Sequence, residues 1–174
     1  MKILCVADHV DPLVYSASAK ERYSDIDLVL GAGDLPMSYL GFIASTLNKP
    51  VLFVFGNHNL EERYRFTRTR EPQGDRNPLA LNTQHRFGST YVNMRSIRVK
   101  KLLIAGLGGS ARYNNGENQY TEGEMRWRIA RMIPKLLYNR IRHGRYLDIL
   151  LTHAAPYGIH DKPDPAHVGF RAFL

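Results

Sequence analysis

The sequence predicts an α/β fold with a central, mostly parallel β-sheet flanked by helices. Three short apolar runs, each ending in a polar or glycine-rich segment, alternate with two stretches suited to helices. The runs are Lys2–Ala7, Asp27–Leu30 and Val51–Phe55. Because helical crossovers join parallel neighbours in a sheet, this βαβαβ opening favours strands that run in one direction.

The two connecting stretches have the pattern of helices. Ser16–Tyr23 has room for a short helix between the first two runs. Pro36 can occupy the first turn of a second helix, where its missing N–H costs nothing. The apolar residues that share one face of that second helix at helical spacing are Leu40, Ile43, Ala44 and Leu47.

The second half of the chain continues the alternation. Ser96–Leu107 predicts two strands joined by a tight connection, and it leads into Gly108-Gly109-Ser110, whose glycines permit close backbone approach. Asp148–Leu151 predicts a last strand, which leads into Thr152-His153. His167–Leu174 has the pattern of an amphipathic terminal helix.

A long helix is predicted ahead of the last strand. Thr121 and Glu124 have the spacing of a capping box, which starts a helix. Pro134 lies inside this helix and is expected to kink it. The apolar residues of the helix, which we expect to pack in the core, are Ile129, Met132, Ile133, Leu136, Leu137 and Ile141.

Length and composition fit one globular domain that covers residues 1–174. The chain has 174 residues, of which 44% are hydrophobic and 23% are charged. Cys5 is the only cysteine, which excludes a disulfide scaffold. The N-terminal apolar run is too short for a signal peptide, and no run is long enough to cross a bilayer. We therefore expect a cytoplasmic protein without a membrane partner, and the sequence leaves its oligomeric state open.

The chain is strongly basic, with a formal net charge of +8 and a pI near 9.7. Such a charge attracts anions, which include phosphate esters, nucleic acids and acidic membrane surfaces. Much of the excess lies in Arg63–Arg70 and Arg126–Arg145. Both stretches fit a solvated basic face, and nucleic acid is a possible partner that no specific motif indicates.

Polar residues that suit a metal site follow four of the predicted strands. They are expected to lie together, because open α/β sheets bind ligands beyond the carboxyl ends of their strands. These residues are Asp8, Asp34, Asn57, His58 and His153. Carboxylate, amide and imidazole groups bind transition metals. An Asp or Asn at a strand end can instead cap a helix or turn, and a lone His can instead make a structural hydrogen bond. A string such as Gly-Asn-His, however, occurs by chance in only about one chain in a hundred of this length.

At these positions the sequence resembles the calcineurin-like metallophosphoesterases, and the resemblance covers nearly the whole chain. The blocks of that family are D-x-H, G-D-x-x-D, G-N-H-[DE], a later histidine and a final G-H-x-H. The matching segments are Ala7-Asp8-His9-Val10, Gly33-Asp34-Leu35-Pro36-Met37, Gly56-Asn57-His58-Asn59 and Thr152-His153. The resemblance implies a layered sandwich of mostly parallel β-sheets flanked by helices.

The resemblance also implies a role for each matching residue. Asp34 would bridge two metal ions, of which Asp8 would hold the first. Asn57 and His153 would hold the second, and His58 would be the catalytic acid. The implied reaction is hydrolysis of a phosphomonoester, phosphodiester or nucleotide by a metal-bound hydroxide, with two divalent transition metals such as manganese, iron or zinc as cofactors.

Several positions depart from the family pattern. Val10 stands where the first block has a metal-binding histidine, so His9 or Asp11 would have to substitute. Met37 replaces an aspartate that would orient the catalytic histidine, and Asn59 replaces the acidic residue after it. The final G-H-x-H is absent, which we interpret as a truncation at the C-terminus.

More polar residues follow His153 and can be placed in two ways. They lie near the metal site, or they belong to a polar surface loop. These residues are His160, Asp161, Asp164 and His167, of which His167, like His9, is a candidate neighbour of the site.

Three functions therefore compete. The leading hypothesis is a metal-dependent phosphoesterase. The second is a phosphoesterase-like domain with little or no turnover that acts as a binding or regulatory module, for which Val10 and the missing G-H-x-H argue. The third is nucleic-acid processing or binding, for which the basic stretches argue.

Overall fold

The computed structural model describes residues 1–67 and 85–174 of the chain. It confirms the predicted fold class, since helices flank mostly parallel sheets. The first sheet has five strands, which are β1 (Ile3–Val6), β2 (Leu28–Gly31), β3 (Val51–Phe53), β4 (His85–Arg86) and β5 (Ser89–Tyr91). Their order is β1-β2-β3-β5-β4, and only the β4–β5 pair is antiparallel.

The second sheet has three strands and lies later in the chain. They are β6 (Arg95–Val99), β7 (Leu102–Leu107) and β10 (Ile149–Thr152), in the order β10-β7-β6. The β10–β7 pair is parallel and the β6–β7 pair is antiparallel. A short parallel pair, β8 (Ser110–Ala111) with β9 (Gln119–Tyr120), follows β7. The two strands predicted within Ser96–Leu107 are thus confirmed.

The helices are α1 (Ala19–Arg22), α2 (Met37–Leu47), α3 (Arg63–Thr67), α4 (Glu122–His143) and a 3₁₀-helix (Arg171–Phe173). The capping box that starts α4 is present, because Thr121 and Glu124 exchange side-chain to backbone hydrogen bonds. The helix continues through Pro134 to His143. Of the basic stretch Arg63–Arg70, the last three residues lie outside the described part of the chain.

The two larger sheets pack face to face, because successive residues of a strand point to opposite sides. Leu28 and Leu30 of β2 share a buried cluster with Ile104 of β7. Val29, between them, belongs to the cluster on the other face, which includes Leu40 of α2. The cluster between the second sheet and α4 includes Ala105, Leu107, Met125, Met132 and Phe170. The order of layers is therefore helix, sheet, sheet, helix.

The prediction that all apolar residues of α4 pack in the core is wrong for half of them. Met132 is buried, and Ile129 and Leu136 are partly buried against the second sheet. Ile133, Leu137 and Ile141 are exposed. The apolar residues of this helix occupy more of its circumference than one sheet can cover, so part of them faces outward.

The predicted terminal helix over His167–Leu174 is also wrong. Only the 3₁₀-helix forms there, because the residues before it pair with an extended segment. Phe170 donates its N–H to the Ala155 carbonyl at 3.0 Å and accepts from the Tyr157 N–H at 3.1 Å. Because Phe170 is extended, it cannot belong to an α-helix. Its ring is buried in the cluster between the second sheet and α4.

None of the helices in residues 1–67 and 85–174 combines the length and the apolar composition that a bilayer crossing requires.

Candidate metal centre

Asp8 and Asp34 lie just beyond the ends of two neighbouring strands. The backbone of β1 continues past the strand, where the Ala32 N–H donates to the Val6 carbonyl at 2.9 Å and the Asp8 N–H donates to the Gly33 carbonyl at 3.1 Å. Both aspartates then adopt left-handed backbone conformations, with φ of 61° for Asp8 and 56° for Asp34. Aspartate tolerates this conformation better than most residues, and such positions concentrate at functional sites.

The two aspartates and His153 form one group of possible metal ligands. One carboxylate oxygen of Asp8, one of Asp34 and one ring nitrogen of His153 all lie within 4.8 Å of one another. In the described part of the chain, this is the one group of three or more His, Cys, Asp or Glu side chains with that property. His153 reaches it from the end of β10, so both sheets contribute to the site.

The ring of His153 is fixed in the orientation that a ligand needs. Its Nδ1 lies 2.9 Å from the carbonyl oxygen of Ala32. A carbonyl oxygen only accepts hydrogen bonds, so Nδ1 carries the proton. The other ring nitrogen, Nε2, faces the site and lies 3.4 Å from Oδ2 of Asp34. Histidine ligands of metals commonly donate their other ring nitrogen in this way.

Asn57 places a further oxygen beside His153. Its Oδ1 lies 3.3 Å from His153 Nε2, while its Nδ2 donates to the Tyr113 hydroxyl at 3.1 Å. With Nε2 unprotonated, as a metal ligand must be, three acceptors from Asp34, Asn57 and His153 converge. Such an arrangement is unfavourable unless a cation lies between them, so the residues present fit a divalent metal.

Gly33 and Gly56 have no side chain, which leaves the space that Asp34 and His153 occupy. A Cβ atom at Gly56 would lie 2.1 Å from Oδ1 of Asp34 and 2.7 Å from Cε1 of His153. A Cβ atom at Gly33 would lie 2.6 Å from Nδ1 of His153, and the φ of Gly33 is +106°. Any side chain at either position would displace a candidate ligand.

The Gly-Asn-His segment is tied directly to Asp34. The backbone N–H of His58 donates to Oδ1 of Asp34 at 2.7 Å, and Nδ2 of Asn59 donates to the Asp34 carbonyl at 2.8 Å. Asn59, which replaces the acidic residue of the family block, thus orients the backbone of a candidate ligand. Oδ1 of Asp34 is held by the backbone, which leaves Oδ2 facing His153.

The other predicted site residues lie outside the ligand group. The side chain of His58 is exposed, and His9 is exposed in the loop after β1. Asp11 accepts from the Leu13 N–H at 2.8 Å within a local turn. Val10 is 41% exposed. Neither His9 nor Asp11 belongs to the group that Asp8 joins.

The polar residues after His153 form local contacts of their own. His167 Nδ1 lies 2.7 Å from a carboxylate oxygen of Asp164, and Asp161 accepts from the Gly169 N–H at 3.0 Å. The hydrogen bond from the Gly169 N–H holds the pKa of Asp161 below its usual range, and the hydrogen bond from His167 does the same for the pKa of Asp164. His160, Asp161, Asp164 and His167 are absent from the one ligand group found among the described residues.

Two residues that sequence reasoning missed support the site from the β8–β9 segment. Asn118 is buried, and its Nδ2 donates to the carbonyls of Phe55 and Gly56 at the start of the Gly-Asn-His segment. Tyr113 accepts from Asn57. These residues lie more than fifty positions from the motif they support, and no spacing rule in the sequence links them.

Replacing Tyr113 with phenylalanine tests the contact with Asn57. Without the hydroxyl the amide of Asn57 is free to rotate its oxygen away from His153, so we expect manganese affinity to fall by about tenfold, as for other groups that orient metal ligands. The thermal midpoint without metal should stay unchanged. Tyr15→Phe, on an exposed ring far along the chain from this contact, is the matched control. Equal metal affinity of Tyr113→Phe and Tyr15→Phe in calorimetric titrations would show that the contact does not orient a ligand.

Comparison with known proteins agrees with this geometry. A search of curated proteins finds no match to the chain. The family model described as calcineurin-like phosphoesterase, by contrast, matches residues 1–173. That match extends over all of the segments that bring Asp8, Asp34, Asn57 and His153 together. By this match the chain belongs to the calcineurin-like phosphoesterase family.

Proposed function

We propose that the chain hydrolyses phosphate esters at a divalent metal centre whose ligands come from Asp8, Asp34, Asn57 and His153. One observation carries this proposal, which is the convergence of two oxygens, Asn57 Oδ1 at 3.3 Å and Asp34 Oδ2 at 3.4 Å, on Nε2 of a histidine whose Nδ1 is hydrogen-bonded to the Ala32 carbonyl. Membership of the phosphoesterase family supports the reaction class. Manganese, iron and zinc suit this mixture of oxygen and nitrogen ligands.

The residues of the chain would hold and orient the reacting groups. A bound divalent cation supplies charge neutralisation for the phosphate and lowers the pKa of a water molecule from about 15.7 towards about 7. Asp34 is kept in position by the backbone N–H of His58, and His153 by Ala32. Rigid support of this kind lets the ligands bind without first losing conformational freedom.

His58 is the proposed acid for the leaving group. Its backbone N–H donates to the candidate ligand Asp34, and its exposed imidazole is free to donate a proton to a departing oxygen. Met37, which stands where the family has an aspartate, is buried in the first turn of α2 and offers no acceptor. His58 therefore lacks the carboxylate that would orient its ring.

We infer that two metal positions, if both fill, fill unequally. Asp34, Asn57 and His153 surround one position. The other has Asp8 and the shared Asp34, since Val10 has no donor atom and neither His9 nor Asp11 joins the group. Fewer ligands mean weaker binding, so the first position should fill at lower metal concentration.

The same observation favours a second candidate function. A chain that binds one metal ion well and the other poorly can bind a phosphate ester without hydrolysing it, and would then act as a binding or regulatory module. The alternative differs from the enzyme in turnover alone, because both require the same ligands.

Hydrolysis of phenyl and p-nitrophenyl esters of phosphate, as monoesters and diesters with manganese, tests the proposal. Loss of a general acid costs about 10²- to 10⁴-fold in rate, so His58→Ala should lower kcat within that range and leave metal affinity unchanged. The loss should be larger for phenyl esters, because phenolate is a poorer leaving group than p-nitrophenolate. His160→Ala, which changes an exposed histidine outside the ligand group, is the control.

Each outcome of this assay decides between the candidates. Manganese-dependent hydrolysis that His58→Ala reduces supports the enzyme. Metal binding without hydrolysis of any of the four esters supports the binding module and contradicts the enzyme. Hydrolysis that survives unchanged in His58→Ala for both leaving groups would remove His58 from the mechanism.

A further inference from the structure

Helix α4 has two apolar faces, and the fold uses only one of them. Met125 and Met132 are buried against the second sheet, and Ile129 and Leu136 pack beside them. At about 100° per residue, a second apolar face lies opposite Met125 on the helix. Its members, which cover about 100° of the circumference without an intervening charge, are Trp127, Ala130, Pro134, Leu137, Tyr138 and Ile141. We call this face the outer stripe.

The outer stripe is exposed over its whole length. Trp127 is 59% exposed, Tyr138 is 54% exposed and Ile141 is 87% exposed. From Trp127 to Ile141 the stripe is about 21 Å long, at about 1.5 Å per residue. Scattered apolar residues on a surface are ordinary, but a continuous apolar stripe indicates a contact with another apolar phase.

The charges along the stripe are predominantly positive. In the described part of the chain, the one acidic partner of its flanking cations is Glu122 in the first turn of α4, which lies 3.5 Å from Arg126. Residues 125–147 contain no aspartate or glutamate, and they contain seven arginines and lysines, which are Arg126, Arg128, Arg131, Lys135, Arg140, Arg142 and Arg145. On one side of the helix the stripe is bordered by Arg131, Lys135 and Arg142, and on the other side by Arg126 and Arg140. Arg131 stacks on Trp127 at 4.6 Å, and Lys135 stacks on Tyr138 at 4.6 Å.

We propose that α4 lies along an anionic phospholipid surface, with the outer stripe in the acyl and headgroup boundary and the flanking cations among the lipid phosphates. A helix in that position combines an apolar face with Trp and Tyr, a border of Lys and Arg, and low overall hydrophobicity, all of which α4 has. Each cation near such a surface adds to the attraction. The lack of a spanning helix among the described residues does not bear on this mode of binding.

Two other occupants fit the stripe less well. A second copy of the chain would bring two rows of cations together, while the two acidic residues of α4, Glu122 and Glu124, already pair with Arg126 and Arg112 of the same chain, and like charges repel. Nucleic acid would satisfy the cations and could stack on Trp127. It offers nothing to Leu137 and Ile141, however, whose aliphatic side chains gain by leaving water.

Vesicle binding tests the proposal, and Trp127 reports it because it is the only tryptophan in the chain. The probes are vesicles of phosphatidylcholine with about one third phosphatidylglycerol, and vesicles of phosphatidylcholine alone. We expect co-sedimentation and a blue shift of Trp127 emission with the anionic vesicles, with binding that weakens as salt rises. Leu137→Ser with Ile141→Ser should weaken binding at least about tenfold. Arg131→Gln with Arg142→Gln should weaken it by a similar factor.

Matched controls distinguish the effect of the outer stripe on vesicle binding from non-specific hydrophobic adsorption and from the effect of overall charge. Ile159→Ser removes another exposed aliphatic side chain, and Lys20→Gln with Lys162→Gln removes two cations elsewhere, so both should bind vesicles as the unchanged protein does. Thermal midpoints of all variants should agree, since every substituted side chain is exposed.

Four results would overturn the proposal. The first is no binding to anionic vesicles, and the second is binding that the stripe variants leave unchanged. The third is tighter binding to a single-stranded oligonucleotide than to vesicles, with no effect of Leu137→Ser and Ile141→Ser, which would make α4 a nucleic-acid surface. Sedimentation of a dimer that the same two substitutions dissociate, with no vesicle binding, would assign the stripe to a second copy of the chain.

Discussion

Asp34→Asn is expected to lower manganese affinity by more than about 100-fold and to abolish hydrolysis of phosphate esters. The substitution keeps the shape of the side chain but removes the charge that faces His153, at 3.4 Å from its Nε2. Loss of a group that only orients a metal ligand costs about 10- to 100-fold in affinity, and loss of a ligand itself costs more. The measurement is isothermal titration with manganese, followed by the ester assay.

Thermal stability gives an independent reading of the same variant. Manganese at about one hundred times its dissociation constant should stabilise the unchanged chain by about 2.7 kcal/mol, and Asp34→Asn should lose this gain. Without metal the variant should be at least as stable, because one carboxylate near Asp8 is neutralised. Asp164→Asn changes a carboxylate that is hydrogen-bonded to His167 and lies outside the ligand group. This variant should be stabilised by manganese as much as the unchanged chain is. A normal response in Asp34→Asn would place the metal elsewhere.

Gly56→Ala is expected to disrupt both the site and the fold around it. The added methyl group would lie 2.1 Å from Oδ1 of Asp34 and 2.7 Å from Cε1 of His153, so both ligands must move. Forcing an extra carbon into such a space typically costs about 1–3 kcal/mol of stability, and displaced ligands should weaken metal binding by more than about tenfold. Chemical denaturation and metal titration measure the two effects.

The matched control for this variant is Gly123→Ala in the first turn of α4. Nothing lies within 4 Å of the position that its Cβ would occupy. Alanine should therefore stabilise the helix by about 0.5–1 kcal/mol and leave metal affinity unchanged. If Gly56→Ala behaved like Gly123→Ala, the close packing of Asp34 and His153 against Gly56 would not describe the protein in solution.

The sequence predicted the framework of the site because its signals are local. Each of β1, β2 and β3 is a short apolar run that leads into a polar or glycine-rich segment, and the carboxyl ends of these parallel strands share one edge of the first sheet, whereas β10 brings His153 from the second sheet. The positions of Asp8 and Asp34 beyond these ends follow from that rule.

The contacts that hold the site could not be predicted, because they join residues far apart in the chain. The ring of His153 is hydrogen-bonded to the backbone carbonyl of Ala32, 121 residues away in the chain. The side-chain amide of Asn118 donates to the backbone carbonyl of Gly56, 62 residues away. A backbone carbonyl leaves no mark in the sequence. The short strands β4, β8 and β9, of two residues each, are likewise defined by pairing rather than by any periodic pattern.

The errors on α4 and on the last residues have a common physical origin. Helical spacing shows which residues share a face, but it does not show whether a neighbour covers that face. Ile141 therefore fits a core pattern and is nevertheless 87% exposed. Phe170 fits a helical pattern too, yet its backbone is extended and pairs with residues 155–157. In this conformation its ring is buried.

Anomalous diffraction from crystals grown with manganese tests the central claim most directly. The account predicts a strong peak at roughly 2.0–2.2 Å from Oδ2 of Asp34, Oδ1 of Asn57 and Nε2 of His153. It predicts a weaker peak, or none, between Asp8 and Asp34, where fewer donor atoms meet. Strong peaks only at other places, or a hydrogen bond from a protonated His153 filling the space between the acceptors, would contradict it.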